Sequence, residues 1–167
     1  MSSRSLVPLE EYLHTSYDPD MEYVDGILVD RNVGDWLHSL IQRNLILALS
    51  QKYPHIYAMP ELRSQTQSTR YRLPDVCVLL APPKTKYLLD AAFLVIEILS
   101  EDDRMTKMME KLEEYNHKGM PNIWVIDPRL QTMSVYSTGD LQEIRGEVIT
   151  TAGDARLELT RSEIFHE

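Results

Sequence analysis

Phe93-Leu94-Val95-Ile96-Glu97-Ile98-Leu99 is apolar at every position but one. Successive side chains of a strand point to opposite faces, so Phe93, Val95, Glu97 and Leu99 share one side and Leu94, Ile96 and Ile98 take the other. A strand apolar on both sides is covered on both sides, which predicts a sheet sandwiched between other layers. Glu97 is then buried. An unpaired carboxylate there costs several kcal/mol, so it requires a cation, a partner or a proton. A neighbouring Arg or Lys would satisfy it, and so would a metal ion.

The preceding apolar run, Asp75-Val76-Cys77-Val78-Leu79-Leu80, follows Pro74. Alone, Asp75 reads as a residue ending a turn. The Pro- and Lys-rich segment Ala81–Ala91 joins the two runs, and antiparallel pairing about a centre near Lys86 sets Leu80 opposite Ala92 and Asp75 opposite Glu97. Opposed side chains lie on the same face with Cβ atoms about 4.5–5.5 Å apart. Two carboxylates that close repel unless a divalent cation lies between them.

Outward from this pair, the pattern predicts a mixed α/β (α+β) domain over residues 1–167, with a central sheet of five or more strands flanked by two main helices. Leu9–Ser16 reads as a short helix. Met21–Val24, Asp25-Gly26 and Ile27–Val29 read as a hairpin, because Asp-Gly between apolar runs favours a tight turn. A helix is predicted from the capping residue Asp35 to Gln51, with Trp36, Leu37, Leu40, Ile41, Leu45 and Ala48 on its apolar face. Ile56–Leu62, Asn122–Asp127, Thr132–Ser137 and Glu143–Thr150 are predicted strands. A second long helix spans Asp103–His117 and stops at Gly119-Met120-Pro121; Ser162–Phe165 is a last helical turn.

That second helix carries Met105, Met108, Met109 and Leu112 as a core stripe, with Tyr115 at its edge. Lys111 falls on the margin of the stripe while Lys107 points away, so Lys111 can reach back toward the sheet. A solvated Lys111 paired with Glu110 or Glu114 is the alternative. Glu22 reads either as an exposed strand residue or as a further site acid, and His38 either as an edge histidine or as an accessory site residue. Asp127 before Pro128 needs no role beyond a turn, and Tyr115 reads as a core residue.

Taken in order, these residues resemble a known pattern. Pro74-Asp75 followed by Glu97 is similar to the PD-(D/E)XK nuclease motif. Glu22-Tyr23-Val24-Asp25-Gly26, His38, Pro74-Asp75-Val76, Val95 to Ser100, Lys111 with Tyr115, and Gly119-Met120-Pro121 leading to Trp124-Val125-Ile126-Asp127-Pro128 together resemble the Uma family of restriction-endonuclease-like proteins. The resemblance implies a restriction-endonuclease-like fold and metal-dependent phosphodiester hydrolysis. It implies Asp75 and Glu97 as acidic metal ligands; magnesium or manganese is the expected ion, and Lys111, Glu22 and His38 are the further candidates for the catalytic set. The lysine usual two positions after the second acid is Leu99 here, and the resemblance implies Lys111 in its place. Position 107, one turn earlier and often acidic in the family, is lysine. A homodimer is expected by analogy with restriction-type nucleases.

Charge sets limits on partners. The net charge is −9, which excludes a surface that attracts nucleic acid everywhere. The first thirty residues hold seven acids against one arginine, whereas residues 31–100 hold eight Lys/Arg against five acids. DNA contacts are therefore expected from Arg63, Arg70 and Arg72 around Ser64–Thr69, and from Lys84 and Lys86; a solvated hairpin explains the same residues. A single cysteine, Cys77, excludes an internal disulfide and a cysteine-based zinc cluster. The five histidines lack zinc-site spacing. No apolar run reaches the ~20 residues that cross a bilayer, and residues 1–8 lack the apolar core of a secretory signal, so a cytoplasmic location is expected. The predicted activity is that of a magnesium-dependent DNA endonuclease. Its rivals are a non-catalytic DNA- or protein-binding module on the same fold and a hydrolase of small nucleotide phosphoesters.

Overall fold

A computed structural model describes residues 5–32 and 34–167; part of the segment read for a leader, residues 1–4, lies outside them. In chain order the elements are α1 (Leu9–His14), β1 (Glu22–Val24), β2 (Ile27–Val29), α2 (Trp36–Lys52), β3 (Tyr57–Pro60), β4 (Ser64–Gln67), β5 (Arg70–Arg72), β6 (Val76–Leu79), β7 (Leu94–Ile98), α3 (Met105–Lys118), β8 (Asn122–Asp127), β9 (Thr132–Ser137), β10 (Asp140–Glu143), β11 (Val148–Thr150), β12 (Glu158–Thr160) and α4 (Arg161–Phe165). They form a six-stranded mixed sheet ordered β10-β9-β8-β7-β6-β3, a four-stranded sheet β2-β1-β5-β4 and the pair β11-β12. Among the described residues, no helix is long and apolar enough to cross a membrane.

The doubly apolar strands sit at the centre of the large sheet. β7 is buried along its whole length. It pairs antiparallel with β6 and, across the α3 crossover, parallel with β8. Alternation then divides the core. Val76, Val78, Leu94, Ile96, Trp124 and Ile126 pack with Ile41, Leu45 and Leu49 of α2. Cys77, Val95, Ile123 and Val125 pack with Met108, Leu112 and Tyr115 of α3. Phe93 departs from its expected side and joins the α2 layer, because it precedes β7 and is free of the strand alternation.

Both long helices begin and end for local reasons. The Asp35 side chain accepts the His38 backbone N–H at 2.8 Å, capping α2. At the end of α3, Gly119 takes φ +92°, a left-handed conformation that glycine adopts without penalty, and the chain reverses into β8. The buried stripe of α2 starts a turn later than its sequence suggests. Trp36 is 74% exposed, and Asn44 is buried instead, donating to the Ile164 and His166 carbonyls and so anchoring α4. Met105 of the expected α3 stripe is also exposed.

The four-stranded sheet contains two strands, β4 and β5, that apolar periodicity does not reveal. In the hairpin β1–β2, Asp25 and Gly26 both take positive φ, as the Asp-Gly turn predicts. The expected strand Glu143–Thr150 is divided between β10 and β11. At the break, Arg161 donates to the Ile144 and Gly146 carbonyls at 2.6 and 3.0 Å, removing them from strand pairing.

Candidate active site

β6 and β7 pair Val76 with Ile96, Cys77 with Val95 and Val78 with Leu94, the register that sets Asp75 against Glu97. Both acids are buried, at 4% and 2% exposure, yet both line one partly open cavity of about 310 Å³. β1 brings Glu22 to the same cavity, α2 brings His38 and α3 brings Lys111. The five residues expected to form the catalytic set therefore meet in one place.

Lys111 links two of the acids. Its Nζ lies 2.8 Å from Glu22 Oε1 and 3.0 Å from Glu97 Oε1. Glu97 Oε1 also accepts the Tyr115 hydroxyl at 2.6 Å. Lys111 and Tyr115 are one helical turn apart, so α3 presents both to the same carboxylate. Tyr115 thus packs in the core, as expected, and also holds a site acid.

Glu22 has further support: its Oε2 faces Arg72 at 2.9 Å and its Oε1 accepts the Leu73 N–H at 3.1 Å. Asp75 is held separately. Its Oδ2 accepts the Ile98 N–H at 2.7 Å, while Oδ1 lies 2.7 Å from Arg31 Nη2 and 3.2 Å from His38 Nε2.

These surroundings separate the two opposed acids. Burial pushes the Glu97 carboxyl up to about 7, against the pull of Lys111; the charges of Asp75 and Glu22 add to the rise. Burial acts the same way on Asp75, but the hydrogen bond and charge of His38, with Lys111 and Arg31, hold it below its ordinary 3.8. Burial also opposes the charged form of Lys111, yet Glu22 and Glu97 keep it firmly protonated.

The donor set suits a hard divalent cation that keeps most of its water. Magnesium takes one or two carboxylates together with water and phosphate oxygens. Asp75 and Glu97 offer two such groups lining the open cavity. Among the described residues, no group of three or more His, Cys, Asp or Glu could form an all-protein cage.

The expected DNA-contact strip divides. Arg63 is buried, not displayed: it donates to Asp20 and to the Tyr12 and Thr15 carbonyls, with its guanidinium 4.2 Å from the Tyr12 ring centre. Arg72 is buried and grips Glu114 through two bonds of 2.8 and 2.6 Å. Arg70 joins Asp25 to Glu114. Each arginine meets a carboxylate that folding would otherwise leave uncompensated. Lys84 and Lys86 are exposed in the loop between β6 and β7.

Sequence reasoning missed Arg31. It sits between β2 and α2, where no periodicity marks it, although a buried Asp75 calls for a cation.

A family model described as "Uma2: Putative restriction endonuclease" matches residues 9–162. The chain belongs to the Uma2 family. A crystal structure titled as a "putative nuclease belonging to DUF820", from Anabaena variabilis ATCC 29413, is similar to this Uma2 chain with a TM-score of 0.78 and 24% identity, covering 95% of this chain and 97% of that one. The two share the restriction-endonuclease-like fold. A cryoEM structure of a DrdV–DNA complex aligns at TM-score 0.37 and 15% identity, over 60% of this chain and 65% of that one. No curated protein matches the Uma2 chain.

Proposed function

We propose that this Uma2 protein is a nuclease that hydrolyses DNA phosphodiester bonds in the Asp75–Glu97 cavity, using magnesium or manganese. The observation that carries this reading is the pair of opposed buried acids lining an open cavity, with Lys111 beside them. Asp75 and Glu97 would hold the ion. When bound, it polarises the phosphorus, makes a water more acidic and neutralises charge on the departing oxygen.

The chain's own residues do the rest. The Lys111 ammonium, kept charged by Glu22 and Glu97, orients the attacking water or stabilises the crowded phosphate in the transition state. Glu22, itself fixed by Arg72 and the Leu73 N–H, sets where that ammonium stands. Tyr115 holds the Glu97 carboxylate in place, and His38 does so for Asp75. Lys84 and Lys86 would meet DNA phosphates outside the cavity.

A second reading, hydrolysis of small nucleotide phosphoesters, is favoured by two observations. Arg63, Arg70 and Arg72 are engaged internally, which thins the cationic surface available to a long polyanion. A cavity of about 310 Å³ also falls in the range of small-ligand sites.

Cleavage of plasmid and single-stranded DNA with magnesium or manganese tests the proposal, comparing wild type with Glu97→Ala and Lys111→Ala. Metal-dependent cleavage by wild type alone is expected. Equal background on DNA in all three proteins refutes a DNA nuclease, and equal background on nucleotides and model diesters as well leaves a binding module. Hydrolysis confined to nucleotides or model diesters establishes the second reading.

A further inference from the structure

Three donors already surround the Asp75 carboxylate, two of them on one oxygen. A carboxylate accepts about four hydrogen bonds. Asp75 already takes the Ile98 N–H on Oδ2 and faces both Arg31 and His38 with Oδ1. A cation approaching Asp75 from the cavity therefore meets the Arg31 guanidinium, which also lines that cavity.

Arg31 is held at two unlike points by two different nitrogens. Nη2 lies 2.7 Å from Asp75, whose side chain is 6% exposed, and Nη1 lies 3.1 Å from Glu61, whose side chain is 47% exposed. The two contacts use separate nitrogens, so displacement of Nη2 from Asp75 by a competing cation does not in itself break the Nη1 contact with Glu61. A guanidinium cannot lose its charge by deprotonation. When a divalent ion binds Asp75, repulsion is relieved only by movement of the arginine. Lys111 differs, because Glu22 and Glu97 both hold it and Glu22 is braced by Arg72.

We propose that Arg31 is an exchangeable counter-ion: it fills Asp75 in the metal-free protein, yields that oxygen to a divalent cation, and, still tethered to Glu61, turns its freed Nη2 to a phosphate oxygen of the substrate. The planar fork of arginine suits phosphate as well as carboxylate, so the same group serves both states. This inference rests on the reading of Asp75 and Glu97 as metal ligands.

Calorimetric titration of the full chain with manganese alone reads the exchange without catalysis. Arg31→Met is expected to bind manganese about tenfold more tightly than wild type, since the ion no longer displaces a resident charge. Arg31→Lys, a point charge without the fork, is expected to bind with intermediate affinity and decides the matter if the Met variant fails to fold. In manganese-loaded protein, dimethyl phosphate, followed by broadening of its phosphorus NMR line, is expected to bind about tenfold more weakly to Arg31→Met.

Manganese affinity that is equal or lower in the variants, with wild type binding normally, overturns the role of Arg31 and leaves the metal site standing. Dimethyl phosphate affinity unchanged in Arg31→Met overturns the hand-over to substrate. Absence of manganese binding in all the proteins overturns the metal site and this inference with it.

Discussion

Lys111 Nζ stands 3.0 Å from one oxygen of Glu97 and 3.1 Å from the other, so a helix supplies the ammonium that faces a sheet carboxylate. The sheet position two residues on is Leu99, which packs against the α3-side core. The cation thus approaches from across the cavity, and its place depends on how α3 docks on the sheet. That docking rests on Met108, Leu112 and Tyr115 against Cys77, Val95, Ile123 and Val125.

Replacing Lys111 by methionine leaves Glu22 and Glu97 buried without their shared cation. Breaking a buried pair this way costs about 3–5 kcal/mol. Urea unfolding should show that loss in the absence of metal and a partial recovery with manganese, while DNA cleavage falls at least ~100-fold. Recovery of stability by manganese in Lys111→Met but not in a Lys111→Met/Asp75→Asn double variant would tie the effect to the acid pair.

Glu114 contributes to the acid limb of stability. Burial alone would raise its carboxyl, but the hydrogen bond and charge of Arg72, with Thr66 and Arg70, hold it below its ordinary 4.5. A lowered carboxyl contributes stability that is complete above the unfolded value and disappears as pH falls through the folded one. Glu114→Gln should therefore be less stable than wild type by about 3 kcal/mol near neutrality, and the gap should close on acidification below pH ~4.5. Urea midpoints measured from pH 3 to pH 7 check this; a gap constant across that range contradicts it.

Surface and interior cations should separate in a salt titration of DNA binding, measured by fluorescence anisotropy in EDTA. Lys84→Ala and Lys86→Ala should each lower the log–log slope by up to ~0.9, as expected for one phosphate contact. Arg63→Ala should leave the slope unchanged and cost about 2 kcal/mol or more in folding stability, because its bonds to Asp20 and the Tyr12 and Thr15 carbonyls are internal. A slope lowered as much by Arg63→Ala as by the lysine variants would return Arg63 to the DNA surface.

The central strands and the long helices were legible because apolar burial wrote them into the sequence. β7 is apolar on both faces, and the antiparallel register with β6 follows from the lengths of the two runs and their joining segment. The opposed acids were legible for the same reason, since polar residues stand out in such strands. β4 and β5 were not: Ser64–Gln67 and Arg70–Arg72 turn Thr66, Arg70 and Arg72 toward Glu114, so ion pairs replace the apolar alternation that marks a strand. The burial of Arg63 and Arg72, both expected on a DNA surface, has the same origin. Arginine reads as exposed until its carboxylate partner, distant in the chain, is brought beside it. Arg31 escaped notice because only the folded chain places it on Asp75, forty-four residues away.

Anomalous diffraction from crystals grown with manganese tests the opposed-acid site most directly. A single strong anomalous peak is expected within coordination distance, about 2.0–2.4 Å, of carboxylate oxygens from both Asp75 and Glu97, absent in crystals of Asp75→Asn. Manganese bound elsewhere, or Asp75 and Glu97 still contacted only by their protein partners at saturating manganese, would contradict it.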